Sequence, residues 1–213
     1  MRKITIIGII ALIGVFLLKV GFPFQNNKVE KNQKTHSSMS ATGNQKEVYF
    51  AGGCFWGTEH FFKQVRGVVG TEVGYANGNK DNPTYKEVCD GNTGFTETVK
   101  VIYDPEVIDL SLLIDLYFKT IDPTALNRQG NDVGTQYRTG IYYTDNSDEE
   151  LIKGKINELS LAYPGKVVVE NEPLRNFYDA EDYHQDYLDN NPGGYCHIGP
   201  DLFEIARKAN PKD

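Results

Sequence analysis

A short apolar run that ends in two glycines and a cysteine constrains this chain more than any other feature. Val48-Tyr49-Phe50-Ala51 has the aromatic and apolar character of a buried strand, and Gly52-Gly53 punctuate its end. Beyond Cys54, the residues Phe55, Thr58, Phe61, Phe62 and Val65 recur near helical spacing. A strand that turns into a helix here puts the thiol at a helix N-terminus. The positive end of the macrodipole favours an anion there, which raises the fraction of nucleophilic thiolate. Trp56 and Phe55 add a large aromatic surface beside it, and Trp56 is the only tryptophan among 213 residues. The same five residues, Gly53 to Gly57, also suit a small apolar side chain packed in a tight turn, and alone they leave both readings open.

The first 46 residues differ from the rest. Arg2 and Lys3 precede Ile4 to Leu18, which carries no charge, and Val20 to Phe24 extend the apolar surface past Lys19. At about 1.5 Å per residue this run just covers a hydrocarbon core of roughly 30 Å. No small-residue cleavage pattern and no lipid-accepting cysteine follow it. Residues 1–24 therefore read as an uncleaved signal anchor with its N-terminus in the cytoplasm, and cleavage at an atypical site is the alternative. Residues 25–46, rich in Asn, Gln, Lys, Ser and Thr, bury too little to offset chain entropy and read as a disordered tether. Residues 47–213 form one domain, expected outside the cytoplasm, membrane-anchored or, after cleavage, secreted or periplasmic. The first 46 residues carry seven basic side chains against one acid, +6, which leaves −13 for the domain in a chain of net charge −7. Such an acidic domain argues against nucleic acid, whose recognition rests on phosphate neutralisation.

Within the domain, Val68 to Tyr75 reads as a strand, Pro83 to Val88 as a short helix, and Thr96 to Tyr103 as an alternating strand. That alternation puts Glu97 on the face of Val99 and Val101, an unusual place for a carboxylate. Leu110 to Ile121 is a strongly apolar helix capped by Asp109 or Ser111. Asp122 to Thr139 is long, polar and aperiodic, the pattern of a functional loop. Ile141 to Thr144 and Val167 to Glu170 read as strands, Ser147 as the cap of a helix to Leu161, and Asp179 to Leu188 as an acidic helix. From Asn190 a Gly- and Pro-rich irregular tail carries Cys196. Strands and helices mix without regular alternation, so the fold class is α+β, with a mostly antiparallel or mixed sheet packed with helices.

The chain has three cysteines, Cys54, Cys89 and Cys196, with no C-x-x-C and no His/Cys ligand spacing, so no metal is expected. A thiolate that attacks an oxidised atom becomes a sulfenic acid, which a second thiol condenses to a disulfide. A desolvated carboxyl such as Glu97 has a raised pKa and can act as a general acid. Together these groups support two-cysteine redox catalysis without a cofactor.

The domain resembles class A peptide methionine sulfoxide reductases. The matching residues are Gly53-Cys54-Phe55-Trp56-Gly57, Gly74-Tyr75, Pro83-Thr84-Tyr85, Val88-Cys89, Thr93-Gly94, Glu97, Tyr103-Asp104-Pro105, Gly130-Asn131-Asp132, Gly134-Thr135-Gln136-Tyr137-Arg138, Tyr183-His184-Gln185, Tyr187-Leu188, Asn191-Pro192 and Gly194-Tyr195-Cys196. They fall in order across nearly all of residues 47–213. The resemblance implies that Cys54 attacks the sulfoxide sulfur, that Phe55 and Trp56 hold the S-methyl group, and that Glu97 protonates the sulfoxide oxygen. It gives Tyr85 and Tyr137 as hydrogen-bond partners of that oxygen and Asp132 as the group that orders a water. It makes Cys196 the resolving cysteine, with a thioredoxin-like dithiol protein as external reductant and no bound cofactor. Substrates would be methionine-S-sulfoxide, free or in proteins, the core ferredoxin-like, and the protein a monomer.

The chain departs from common family patterns at Phe95, where many members have histidine, at His197, where many have glycine, and in having no further cysteine after Cys196. Cys89 reads as a buried hydrophobe. A thiol peroxidase or disulfide oxidoreductase, and a membrane-tethered adhesion or binding module held by a static Cys89–Cys196 bridge, are the competing readings.

Overall fold

The computed structural model describes residues 43–209. The expected anchor, and the expected tether up to residue 42, lie outside the described residues. Among those described, no helix is long and apolar enough to cross a membrane. The sheet takes in the last residue assigned to the tether, because the first strand, β1, is Lys46–Gly52 and Lys46 pairs with Tyr103.

After β1 come α1 (Phe55–Phe62), β2 (Val68–Ala76), α2 (Tyr85–Cys89), β3 (Thr96–Tyr103) and α3 (Leu110–Phe118). The chain continues through β4 (Arg128–Gln129), β5 (Asp132–Val133) and β6 (Thr139–Tyr143). It ends with α4 (Glu149–Ala162), β7 (Glu170–Pro173), β8 (Phe177–Asp179), α5 (Tyr187–Asn190) and α6 (Pro200–Lys208). Six strands form one mixed sheet in the order β7-β6-β1-β3-β2-β8, in which only β6 and β7 run parallel. The expected α+β class with a mixed sheet and packed helices is what the chain adopts.

The two-residue repeat of a strand sorts β1 cleanly. Val48 and Phe50 enter the main core with Val99 and Val101 of β3, Phe61 and Phe62 of α1, and Leu113, Ile114 and Tyr117 of α3. Tyr49 and Ala51 face a smaller cluster with Ala76 and Tyr142. Phe50 stacks between Phe62 and Tyr117, with ring centroids 4.7 and 4.9 Å away. The Tyr117 hydroxyl donates to Ala51 O at 2.7 Å and accepts from Gly140 N at 3.1 Å, which ties α3 to the end of β1 where the cysteine turn begins. Every residue of β3 is buried, because a strand in the middle of the sheet is covered on both faces. Lys100 on its second face is neutralised by Glu72 at 3.2 Å and Glu47 at 3.8 Å.

Local chemistry explains the caps. Asp109 accepts from Leu112 N at 2.9 Å to start α3, and Thr84 and Glu87 form a reciprocal capping box on α2. Four sequence expectations are corrected. Asp145, not Ser147, is the capping side chain: it accepts from Ser147 N at 2.9 Å and opens a 3-10 turn at Asn146–Asp148, and α4 begins only at Glu149. Val168 N bonds Pro123 O at 2.8 Å instead of joining the sheet, so the last strand pairing with β6 lies at Glu170–Pro173 rather than 167–170. The stretch from Asp179 to Leu188 is not a helix. It leaves β8 through turns held by side chains, reaches left-handed Asp186 at φ 55°, and only then enters α5. The tail is irregular through Gly199, but Pro200 then opens α6, whose Ala206 packs into the core.

Candidate active site

The strand-to-helix turn requires Gly53. Its φ of 82° is left-handed, and a Cβ there would meet the Gln129 side chain at 2.6 Å. Gln129 lies so close because its amide makes two 2.8 Å hydrogen bonds with the backbone of Asp122, folding the 122–129 loop over the turn. Cys54 is then the residue just before α1, buried, with no side-chain cap on the helix.

Glu97 is also buried, 1% exposed, near the start of β3. Its Oε2 accepts from Phe55 N at 3.1 Å, while Oε1 is buried without a partner. Burial pushes the Glu97 carboxyl up to about 8; the Phe55 N–H opposes this and the Asp132 charge adds to it. Near neutral pH this carboxyl holds its proton.

Of the two readings left open for Cys54, burial favours the packed, protonated side chain over an activated thiolate in the resting site. Burial drives the Cys54 thiol well above its ordinary value, the nearby Glu97 charge adds to that, and the hydrogen bond from the Trp56 backbone opposes both without prevailing. Cys54 therefore rests as a protonated thiol.

The other expected residues converge on this pair. Phe55 is buried and Trp56 half-buried at the start of α1. Tyr85 and Tyr137 are half-buried, and burial together with the Glu97 charge raises both phenols; Tyr137 also feels Cys54 and Asp132. Asp132 arrives on the β4–β5 hairpin and accepts from the Tyr195 hydroxyl at 3.0 Å. Cys196 reaches the site because α1 carries Gly57 there: a Cβ on Gly57 would lie 2.9 Å from Cys196 Sγ. His197 packs over the same helix end and over Gly53.

Cys89 is not the buried hydrophobe expected. It is exposed at the end of α2, one helical turn beyond Tyr85. All three cysteines are free thiols. No group of His, Cys, Asp or Glu among the described residues is arranged to hold a metal ion.

Several supporting residues escaped sequence reasoning. Glu181 accepts from the Tyr75 hydroxyl at 2.7 Å and from Tyr85 N at 2.9 Å, fixing the start of α2. Tyr187 stacks on Trp56 at 3.7 Å, and His184 accepts from the Trp56 indole. The Tyr183-His184-Gln185 string marked the segment, but nothing in its spacing showed which partner each side chain meets.

A model of the peptide methionine sulfoxide reductase family matches residues 46–212. The chain belongs to this family. A peptide methionine sulfoxide reductase MsrA of Lachnoclostridium phytofermentans is 53% identical over 164 residues, which is 77% of this chain and 99% of that protein. Among solved structures, Mxr1 from Saccharomyces cerevisiae in reduced form is similar with a TM-score of 0.73 and 41% identity, covering 76% of this chain and 96% of that one. Mxr1 crystallised in complex with Trx2 is similar with a TM-score of 0.53 and 29% identity, covering 71% and 91%. Around Cys54 this reductase gathers the Glu97 carboxyl, the Tyr85 and Tyr137 phenols, Phe55 and Trp56, and the Cys196 thiol against the same helix.

Proposed function

We propose that this methionine sulfoxide reductase acts on the S epimer through Cys54, Glu97 and Cys196. Glu97 gives its proton to the sulfoxide oxygen, and the carboxylate so formed takes the proton of the Cys54 thiol. The thiolate attacks the sulfoxide sulfur; the hydroxyl and the Cys54 sulfur of that adduct then couple as both bonds to the methionine sulfur break, releasing methionine and leaving Cys54 as a sulfenic acid. Cys196 attacks that sulfur, expelling water and forming a Cys54–Cys196 disulfide. An external dithiol of the thioredoxin class then returns both thiols. Phe55 and Trp56 wall the S-methyl group, Tyr85 and Tyr137 donate to the sulfoxide oxygen, and Asp132 orders a water.

The observation that carries this reading is the Glu97 carboxyl. Burial favours its protonated form, with one oxygen on the N–H of Phe55, the residue after Cys54, and the other unpartnered. The Mxr1–Trx2 complex supports the dithiol partner. The strand order β6-β1-β3-β2, built from β1-α1-β2-β3-α3-β6, supports a ferredoxin-like core. Arg2, Lys3 and the apolar run from Ile4 support anchoring of the domain outside the cytoplasm.

Separated S and R epimers of a methionine sulfoxide peptide, with dithiothreitol as reductant, test the reading. Turnover of the S epimer alone is expected. Equal turnover of both, or preference for hydrogen peroxide, would overturn it.

A further inference from the structure

Trp56 is fixed from two directions. Tyr187 of α5 stacks on the indole at 3.7 Å and 14°. Stacking resists tilt but leaves rotation within the ring plane nearly free. The Trp56 Nε1–H removes that freedom by donating to His184 Nδ1 at 3.1 Å.

The acceptor is itself held rigidly. His184 N bonds Glu181 O at 2.8 Å. The next side chain, Gln185, bonds both Val73 N, at 3.0 Å, and Val73 O, at 2.9 Å, on the edge of β2. The His184 ring is 2% exposed and lies among Phe55, Tyr85 and Tyr183, with centroids 5.2, 4.4 and 4.2 Å away. An imidazole that accepts at Nδ1 carries its neutral-form proton at Nε2. Here Nε2 is buried with no partner. A ring that leaves one nitrogen unsatisfied to present the other to an indole is being used for that second contact.

We infer that His184 is a positioning residue of the reductase: as the Nε2–H tautomer it orients the Trp56 indole that walls the methyl subsite, and so sets sulfoxide affinity. This rests on the proposed role of Trp56. The single tryptophan makes the test direct, because tryptophan fluorescence and the indole N–H resonance report on Trp56 alone.

The pair His184→Leu and His184→Asn isolates the acceptor. The two side chains are close in shape, and only Asn places an oxygen near the Nδ1 position. In His184→Leu, KM for an S-sulfoxide peptide should rise about tenfold, the cost of one lost hydrogen bond at a buried group, while kcat changes little. The Trp56 emission should shift toward that of a wetter indole. His184→Asn should recover most of both effects. Trp56→Leu serves as the control for the underlying reading. If it raises KM while His184→Leu behaves as the parent, or if Leu and Asn behave alike, the positioning role is wrong but the methyl wall stands. If Trp56→Leu leaves KM unchanged, the wall itself is wrong. Should the Leu variant fail to fold, nitrogen NMR of the parent decides: a His184 ring protonated at Nε2, with slow exchange of the indole N–H, supports the proposal, and an Nδ1–H tautomer overturns it.

Discussion

Glu97 Oε2 accepts the Phe55 backbone N–H at 3.1 Å, so a buried carboxyl on the central strand is tied to the first residue of the helix that follows the nucleophile. One hydrogen bond thereby ties the carboxyl proposed as the acid to the turn that carries the Cys54 thiol. The carboxyl is neutral near pH 7 because burial outweighs that one donor.

Glu97→Gln keeps the acceptor for Phe55 N and removes the proton. Formation of sulfenic acid in a single turnover should slow by about 10²–10⁴-fold, the usual worth of a general acid. Disulfide reduction should be unaffected. In the parent enzyme the single-turnover rate should fall as pH rises through about 8, where Glu97 loses its proton. Single-turnover chemistry at the parent rate in the variant would make Glu97 structural.

Tyr85→Phe and Tyr137→Phe each remove one phenolic donor without changing ring packing. Each should lower kcat/KM for the sulfoxide by about tenfold, the value of a hydrogen bond to a developing charge. Steady-state kinetics on a peptide substrate measures both.

Glu59 on α1 is a second buried carboxyl, 2% exposed, and burial pushes it up to about 8, with the Asp186 charge adding and the Lys63 charge opposing. Its Oε2 accepts from Asp186 N at 3.0 Å, which holds the left-handed turn between His184 and Tyr187. The folded protein binds this proton more tightly than the unfolded chain does. Its contribution to stability is therefore complete below about pH 4.5 and lost as pH rises through about 8. Tm should fall across that window in the parent, and Glu59→Gln, which stays neutral, should flatten the decline. An unchanged slope in the variant would show that Glu59 is ionised in the fold.

Cys89→Ser should leave thioredoxin-coupled turnover nearly intact. The thiol is exposed on α2, and serine is close to cysteine in size. Loss of turnover with the fold retained, seen by circular dichroism, would give Cys89 a redox part.

Much of this site was legible in the sequence where local rules govern. The glycines before Cys54, the alternation that set Glu97 beside Val99 and Val101, and the cap at Asp109 each depend on neighbouring residues alone. Legibility failed where tertiary contacts decide. Val167 to Val169 has strand propensity, but Val168 is drawn away by Pro123 O. Asp179 to Leu188 looks helical, but Gln185 is captured by Val73 and Asp186 by Glu59. At Cys54 a helix terminus is visible in the sequence and the depth of burial is not, so two readings stayed open there. Cys89 was misjudged because the end of a five-residue helix faces solvent however apolar its neighbours.

The relay from Cys54 to Cys196 is the centre of the account, and peptide mapping of the full chain tests it most directly. The protein is treated with an S-sulfoxide peptide in the absence of any reductant, and its disulfides are read by mass spectrometry. A Cys54–Cys196 disulfide that appears only after substrate, with methionine formed in step, is the predicted result. In Cys196→Ser the same treatment should release one equivalent of methionine and stop at a Cys54 sulfenic acid. A Cys89–Cys196 disulfide present before any substrate would contradict the account, because Cys196 would then be a fixed staple with no thiol left to resolve Cys54.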